Sequence, residues 1–224
     1  RCRVDPIMVR TKIGASILDA DFLRLKEQID AVVEVADEIH LDVMDGVFVD
    51  NISFGPSVIS QIRTAYPDAF LDTHLMISRP EAMWRSFQRA GSNVVTFHYE
   101  VTPHTYIICK EMREAGIKAG VSVTPATDVE LLEPIREYID RVLTLTVEPG
   151  FGGQAFVPAM LRKIEKARKL FGDNVDIQVD GGIKDTTIAT AKNAGANVFV
   201  AGSYIFGAED PRARVLELRE LAGG

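Results

Sequence analysis

Apolar and polar positions along this chain alternate between two rhythms. Short runs rich in Ile, Val and Leu recur at residues 12–18, 38–44, 70–76, 93–98, 118–123, 141–147, 176–179 and 196–201. Each has the length and side-chain make-up of a buried strand. Between them apolar residues fall three and four apart, as with Leu23, Ile29, Val32 and Val33 in 22–35, or Leu161, Ile164, Ala167 and Leu170 in 158–170. Segments 81–90, 105–115 and 186–194 read the same way, and this period predicts helices with one buried face. Boundary residues agree. Asp21 precedes the first helix, Arg79-Pro80-Glu81 opens another, and Ala90-Gly91, Ala115-Gly116 and Ala194-Gly195 form short turns back into strands.

Eight strand–helix units without a break in composition predict an α/β fold, a single (β/α)8 barrel over residues 11–224. Residues 1–10 are read as an N-terminal extension, basic but without the apolar stretch of a signal peptide. An open doubly wound sheet is the rival, and no strand is followed by the G-x-G-x-x-G that such a sheet uses for dinucleotides. Chemistry in a barrel sits where strands end, so the polar residues there carry the functional reading.

Three strand ends stand out. The second reads Ile39-His40-Leu41-Asp42-Val43-Met44-Asp45-Gly46, and alternation puts His40, Asp42 and Met44 on one face. In the third, His74 and Met76 share a face, and the seventh ends on Asp180. With these faces inward, His40, Asp42, His74 and Asp180 converge above the barrel. A single inward His or Asp is more often a hydrogen-bonded structural residue. Four together change the balance, because buried charge without a counter-ion is costly. Two imidazoles and two carboxylates suit one divalent ion, Zn, Mn, Fe or Co. His98, at the end of the fourth strand, is either an orienting partner for a ligand or a satisfied polar residue.

Glycine marks a second constellation. Gly150-Phe151-Gly152-Gly153 follows the sixth strand, Gly181-Gly182 the seventh and Gly202-Ser203 the eighth. Any one of them is explicable as a tight turn. Three neighbouring loops that bring backbone N–H groups close to a ligand point instead to a phosphorylated substrate, and hence to a barrel of the phosphate-binding type. The net charge of −7 argues against nucleic acid or an anionic membrane as partner but leaves room for this local anion site. Only two cysteines occur, Cys2 and Cys109, so a disulfide framework is not expected and a cytoplasmic, reducing address is.

At these residues the chain resembles the ribulose-phosphate 3-epimerase family. The matching runs are Ser16-Ile17-Leu18 with Ala20-Asp21-Phe22, HLDVMDG at 40–46, NISFGP at 51–56, HLM at 74–76, VEPGFGGQ at 147–154, VDGG at 179–182 and AGS at 201–203. The resemblance implies a divalent metal on His40, Asp42, His74 and Asp180, with Asp42 and Asp180 as the acid–base pair. It implies that Ser16, Met44, His74 and Met76 line the sugar, and that Gly150, Phe151, Gly152, Gly153, Gly181, Gly182, Gly202 and Ser203 surround the phosphate. The implied reaction is C3 epimerisation of D-ribulose 5-phosphate through a 2,3-enediolate, in the pentose phosphate pathway, by a cytoplasmic homo-oligomer. Four positions depart from the family's usual residues: Val47 for histidine, Asp50 for proline, Leu145 for methionine and Gln178 for glutamate. They leave the reaction intact and bear on which sugar is taken, so allulose 6-phosphate or a tetrulose phosphate are alternative substrates. Decarboxylase chemistry of the kind that uses a D-x-K-x-x-D strand run is disfavoured because the strand has no lysine, and Schiff-base aldolase chemistry because Lys12 and Lys118 begin strands and Lys184 lies in a loop. A non-catalytic phosphate-binding barrel is the reading from a different class.

Overall fold

A strand covered on both faces has no polar side to show to water, and nearly every strand position is buried in the computed structural model, which describes residues 9–223. The strands are β1 (Lys12–Ser16), β2 (Glu38–Met44), β3 (Leu71–Met76), β4 (Val94–His98), β5 (Lys118–Val123), β6 (Arg141–Leu145), β7 (Asp176–Asp180) and β8 (Val198–Ala201). Each pairs in parallel with the next and β8 pairs with β1, so the sheet closes into the expected (β/α)8 barrel. Of the N-terminal extension, residues 1–8, Cys2 included, lie outside the described residues. Cys109 is buried in the fourth helix.

Helices α1 (Leu25–Val32), α2 (Pro56–Ala65), α3 (Pro80–Ala90), α4 (Thr105–Glu114), α5 (Leu161–Phe171), α6 (Ile188–Asn193), α7 (Ser203–Phe206) and α8 (Pro211–Leu221) surround the strands. The fifth unit carries a 3-10 stretch, Val129–Tyr138, whose internal Pro134 removes a helical donor. β1 is shorter than its apolar run because Ser16, its last residue, caps a 3-10 turn, its hydroxyl accepting from the Leu18 N–H at 3.3 Å. β6 stops at Leu145 rather than at 147, since Thr146 turns to bond the Asp180 and Gly181 carbonyls of the neighbouring strand end at 2.8 and 2.6 Å.

The two strand faces do different work. Outward residues such as Ile39, Leu41, Val43, Leu71 and Leu75 join Trp84, Phe87 and Ile164 from the helices in one continuous apolar core between sheet and helices. Each such side chain, fully buried, contributes roughly 1.5–3 kcal/mol. The inward face is polar instead. At its floor Arg141 donates to both Glu38 oxygens at 2.7 and 2.6 Å and to Asp176 at 3.0 Å, while Lys12 donates to Asp176 at 2.6 Å. Around the outside of that floor, two arginines clasp the turns that enter β4 and β8. Arg63 donates to the Gly91 carbonyl and Asn93, and Arg168 to the Gly195 carbonyl and Asn197. Stability is built at this end of the barrel, leaving the strands' C-terminal ends for chemistry.

Candidate active site

Register decides which inward residues meet. β2 and β3 pair with His40 beside Asp72, Asp42 beside His74 and Met44 beside Met76. Across the barrel, β7 places Asp180 level with Leu145 of β6 and Val200 of β8. One donor atom from each of His40, Asp42, His74 and Asp180 therefore falls within 4.8 Å of the other three. Asp42 Oδ1 lies 3.1 Å from His40 Nε2 and 3.0 Å from His74 Nδ1, and Asp180 Oδ2 lies 3.7 and 3.8 Å from the same nitrogens.

The histidine tautomers follow from their outer partners. Asp72 can only accept, so His40 donates through Nδ1 to Asp72 Oδ2 at 2.7 Å and turns Nε2 toward the cluster. Glu100 likewise accepts from His98 Nδ1 at 3.2 Å, which leaves His98 Nε2 to accept from His74 Nε2 at 2.9 Å. That turns His74 Nδ1 to the cluster as well. Burial lowers His98 to about 4, which suits a neutral acceptor. His98 thus orients His74. Four electron-rich atoms now face one point, and bonds of about 2.0–2.2 Å to one ion would set such atoms roughly 3–3.6 Å apart, so the residues fit a divalent cation.

The two aspartates differ electrostatically. Burial alone would raise Asp42, but protonation of His40, favoured by Asp42 and Asp72, and hydrogen bonds from His40 and His74 outweigh it and hold the carboxyl well below its ordinary range; a bound cation would take the place of those protons. Ser16 Oγ adds a bond to Asp42 Oδ2 at 2.7 Å. For Asp180, burial reinforced by the negative charge of Asp42 pushes the carboxyl up to about 6. Two carboxylates this close cannot both ionise cheaply, and the environment separates them into one firmly ionised carboxylate and one group able to carry a proton.

Above the cluster opens a cavity walled by Ser16, Asp42, Met44, Met76, Leu145 and Asp180 and roofed by Gly150, Phe151, Gly152, Gly153, Gly181, Gly182, Gly202 and Ser203. The structure brings together every residue expected at the sugar and phosphate, with one difference. His74, like His40, is wholly buried beneath the cavity and does not line it. Gly181 and Gly182 have φ of 114° and 67°, and a Cβ on them would strike Val147 and the Phe156 backbone respectively. The loop after β6 is clasped by Gln154, which donates to the Glu148 and Phe151 carbonyls, and Asn51 ties the β2 loop to the Gly150 carbonyl at 2.9 Å. Of the four departures, Leu145 reaches the cavity wall, Val47 and Asp50 are exposed on the rim, and Gln178 lies below, donating to Asp72 at 2.5 Å.

Three functional partners escaped the sequence reading. Asp72 shares the parity of His74 and was legible by alternation alone. Glu100 was not, because its role depends on the tautomer of His98. Asp45, which holds the Val47 and Phe48 N–H groups with one oxygen and Ser78 with the other, joins two loops that are adjacent only in the barrel.

Residues 12–206 match the model of the ribulose-phosphate 3-epimerase family. A ribulose-phosphate 3-epimerase of Mycobacterium bovis is 44% identical over 94% of this chain and 93% of its own length. A cytoplasmic isoform of the same enzyme from Oryza sativa subsp. japonica is 41% identical over 95% of both. Among solved structures, a 3-hexulose-6-phosphate synthase superposes with a TM-score of 0.71 at 26% identity, covering 94% of this chain and 99% of that one. With the family's motifs on the strand ends and its model spanning almost the whole barrel, the chain belongs to the ribulose-phosphate 3-epimerase family, a family of isomerases.

Proposed function

We propose that this protein interconverts D-ribulose 5-phosphate and D-xylulose 5-phosphate by moving the proton at C3, the step these sugars share in the pentose phosphate pathway. The observation that carries this is the four-donor cluster lying directly under a cavity with a glycine-rich roof. Asp42 lies near the end of β2 and Asp180 ends β7, strands separated by β8 and β1 in the closed sheet, so they approach a sugar from different sides. Inversion needs this arrangement. One carboxylate takes the C3 proton, a 2,3-enediolate remains, and the other carboxyl returns a proton to the opposite face. In the reverse direction the roles exchange. Ser16 holds Asp42 by its second oxygen, and Met44 and Met76 give the carbon chain an apolar bed that excludes water from the carbanion.

His40, Asp42, His74 and Asp180 would hold one divalent ion of Zn, Fe, Mn or Co. When bound, it supplies Lewis-acid stabilisation of the developing oxyanions. The glycines of the roof bring backbone N–H groups close to the phosphate without an intervening Cβ. A cytoplasmic address and a homo-oligomeric state accompany this reading through the resemblance. No helix among the described residues is long and apolar enough to cross a membrane.

Leu145 on the cavity wall favours a second reading, a 3-epimerase of another ketose phosphate such as allulose 6-phosphate or a tetrulose phosphate. No lysine lines the cavity, which weighs against Schiff-base chemistry. The test is a coupled assay of ribulose 5-phosphate epimerisation before and after chelation. Turnover that is lost on stripping and restored by a divalent ion supports the proposal. No turnover by fully metallated protein refutes the substrate, and a panel of other ketose phosphates then decides the second reading.

A further inference from the structure

The cavity has four carboxylates in its lining, Asp19, Asp42, Glu148 and Asp180, and no Lys, Arg or His. Two of them belong to the acid–base pair. Asp19 does not. It ends the 3-10 turn after β1, and its carboxylate lies directly against two glycines of the roof, since a Cβ on either Gly152 or Gly202 would collide with it. The backbone N–H of Ser203 lies near the same carboxylate and favours its charged form. The chain thus places an anion of its own between the loops after β6 and β8, in contact with residues assigned to the phosphate.

We propose that Asp19 is a specificity-determining residue: its carboxylate occupies the anion position of the glycine cradle and must leave it before a ketose phosphate can be seated. The inference rests on the phosphate reading of the cradle given above. A phosphate dianion and a carboxylate in one cradle repel strongly even at the dielectric of a protein surface. They also compete for the same polar neighbour, the Ser203 N–H. Asp19 is exposed at the cavity mouth, so rotation of its side chain into water gives it somewhere to go. Phosphate binding therefore carries the cost of displacing that carboxylate, whereas an unphosphorylated ketose does not, because its terminal hydroxyl can donate to Asp19 in place.

The test compares wild type with Asp19→Ser, which opens the cradle, and Asp19→Asn, which keeps the shape and removes the charge. Binding of inorganic phosphate is measured by calorimetry on metal-loaded protein, alongside KM and kcat for ribulose 5-phosphate and for unphosphorylated D-ribulose. Asp19→Ser is expected to tighten inorganic phosphate by about tenfold or more, the scale of one hydrogen bond to a charged group. KM for ribulose 5-phosphate should fall in parallel, and the preference for the phosphorylated over the unphosphorylated sugar should rise by a similar factor. Asp19→Asn should fall between, and it carries the test alone if the serine variant does not fold. Phosphate affinity that is unchanged or weaker in both variants overturns the proposal. Tighter phosphate in a protein that turns over no ribulose 5-phosphate sinks the assigned substrate and leaves the role of Asp19 standing.

Discussion

Asp72 offers a measurement of how much the barrel interior contributes to the cluster above it. Its Oδ2 accepts from His40 at 2.7 Å and Gln178 at 2.5 Å and lies 3.0 Å from Arg141 Nη1 in an ion pair, while Oδ1 has no partner. All three contacts therefore fall on one atom. In Asp72→Asn the amide oxygen can take that position and the NH2 can point where Oδ1 was, so the variant removes charge and keeps shape. Asp72→Ala removes both.

Outer partners of metal-bound histidines are typically worth 10–100-fold in metal affinity, about 1.4–2.7 kcal/mol. Asp72→Ala should lose that full range, because His40 is then free to turn Nε2 away. Asp72→Asn should lose only the low end, since His40 keeps its orientation and loses only the nearby charge. Stability responds separately. Breaking a buried ion pair costs about 3–5 kcal/mol, and Arg141 retains Glu38 and Asp176, so Asp72→Ala should sit near 3 kcal/mol. Competition with a chromophoric chelator gives the metal affinities, and urea unfolding of stripped protein gives the stabilities. Wild-type metal affinity in Asp72→Ala would refute the idea that this carboxylate sets the tautomer and aim of His40.

Three further outcomes follow from other parts of the structure. Asp180→Asn should lower kcat by more than the roughly 10²–10⁴-fold of a single acid–base group, because the residue is also a proposed ligand, and near-normal turnover would contradict the two-aspartate scheme. Asp176 is drawn down to about 2, with Arg141 and Lys12 overcoming the opposing effect of burial, so its contribution of about 2 kcal/mol is present above pH ~4 and lost as pH falls from there through about 2. Acid unfolding of Asp176→Asn should accordingly show a flatter stability profile over that window than wild type. Asn197→Ala should cost about 2–3 kcal/mol, since it leaves Arg168 and the Ile177 N–H, bonded at 2.7 and 2.8 Å, without their shared acceptor, and a wild-type Tm would show that the clasp is redundant.

What the sequence determined by itself was periodic or local. Alternation along β2 and β3 placed His40, Asp42, Met44, His74 and Met76 on inward faces, because a strand has only two sides and the apolar residues between them had to take the outer one. Glycine runs marked the loops after β6, β7 and β8 for the same local reason, the lack of a Cβ. Closure of the barrel and the strand register decided the rest. Only the pairing of Asp42 with His74 and the approach of Asp180 across the lumen bring four donors to one point, and pairing between strands distant in sequence has no local signal. The floor of Glu38, Arg141 and Asp176 was hidden for a related reason: charged residues in a run read as edges until the fold shows them meeting inside. Asp19 is the sharpest case. In the sequence it is one acidic residue beside a turn, and its place against Gly152 and Gly202 exists only because β1, β6 and β8 end at the same mouth of the barrel.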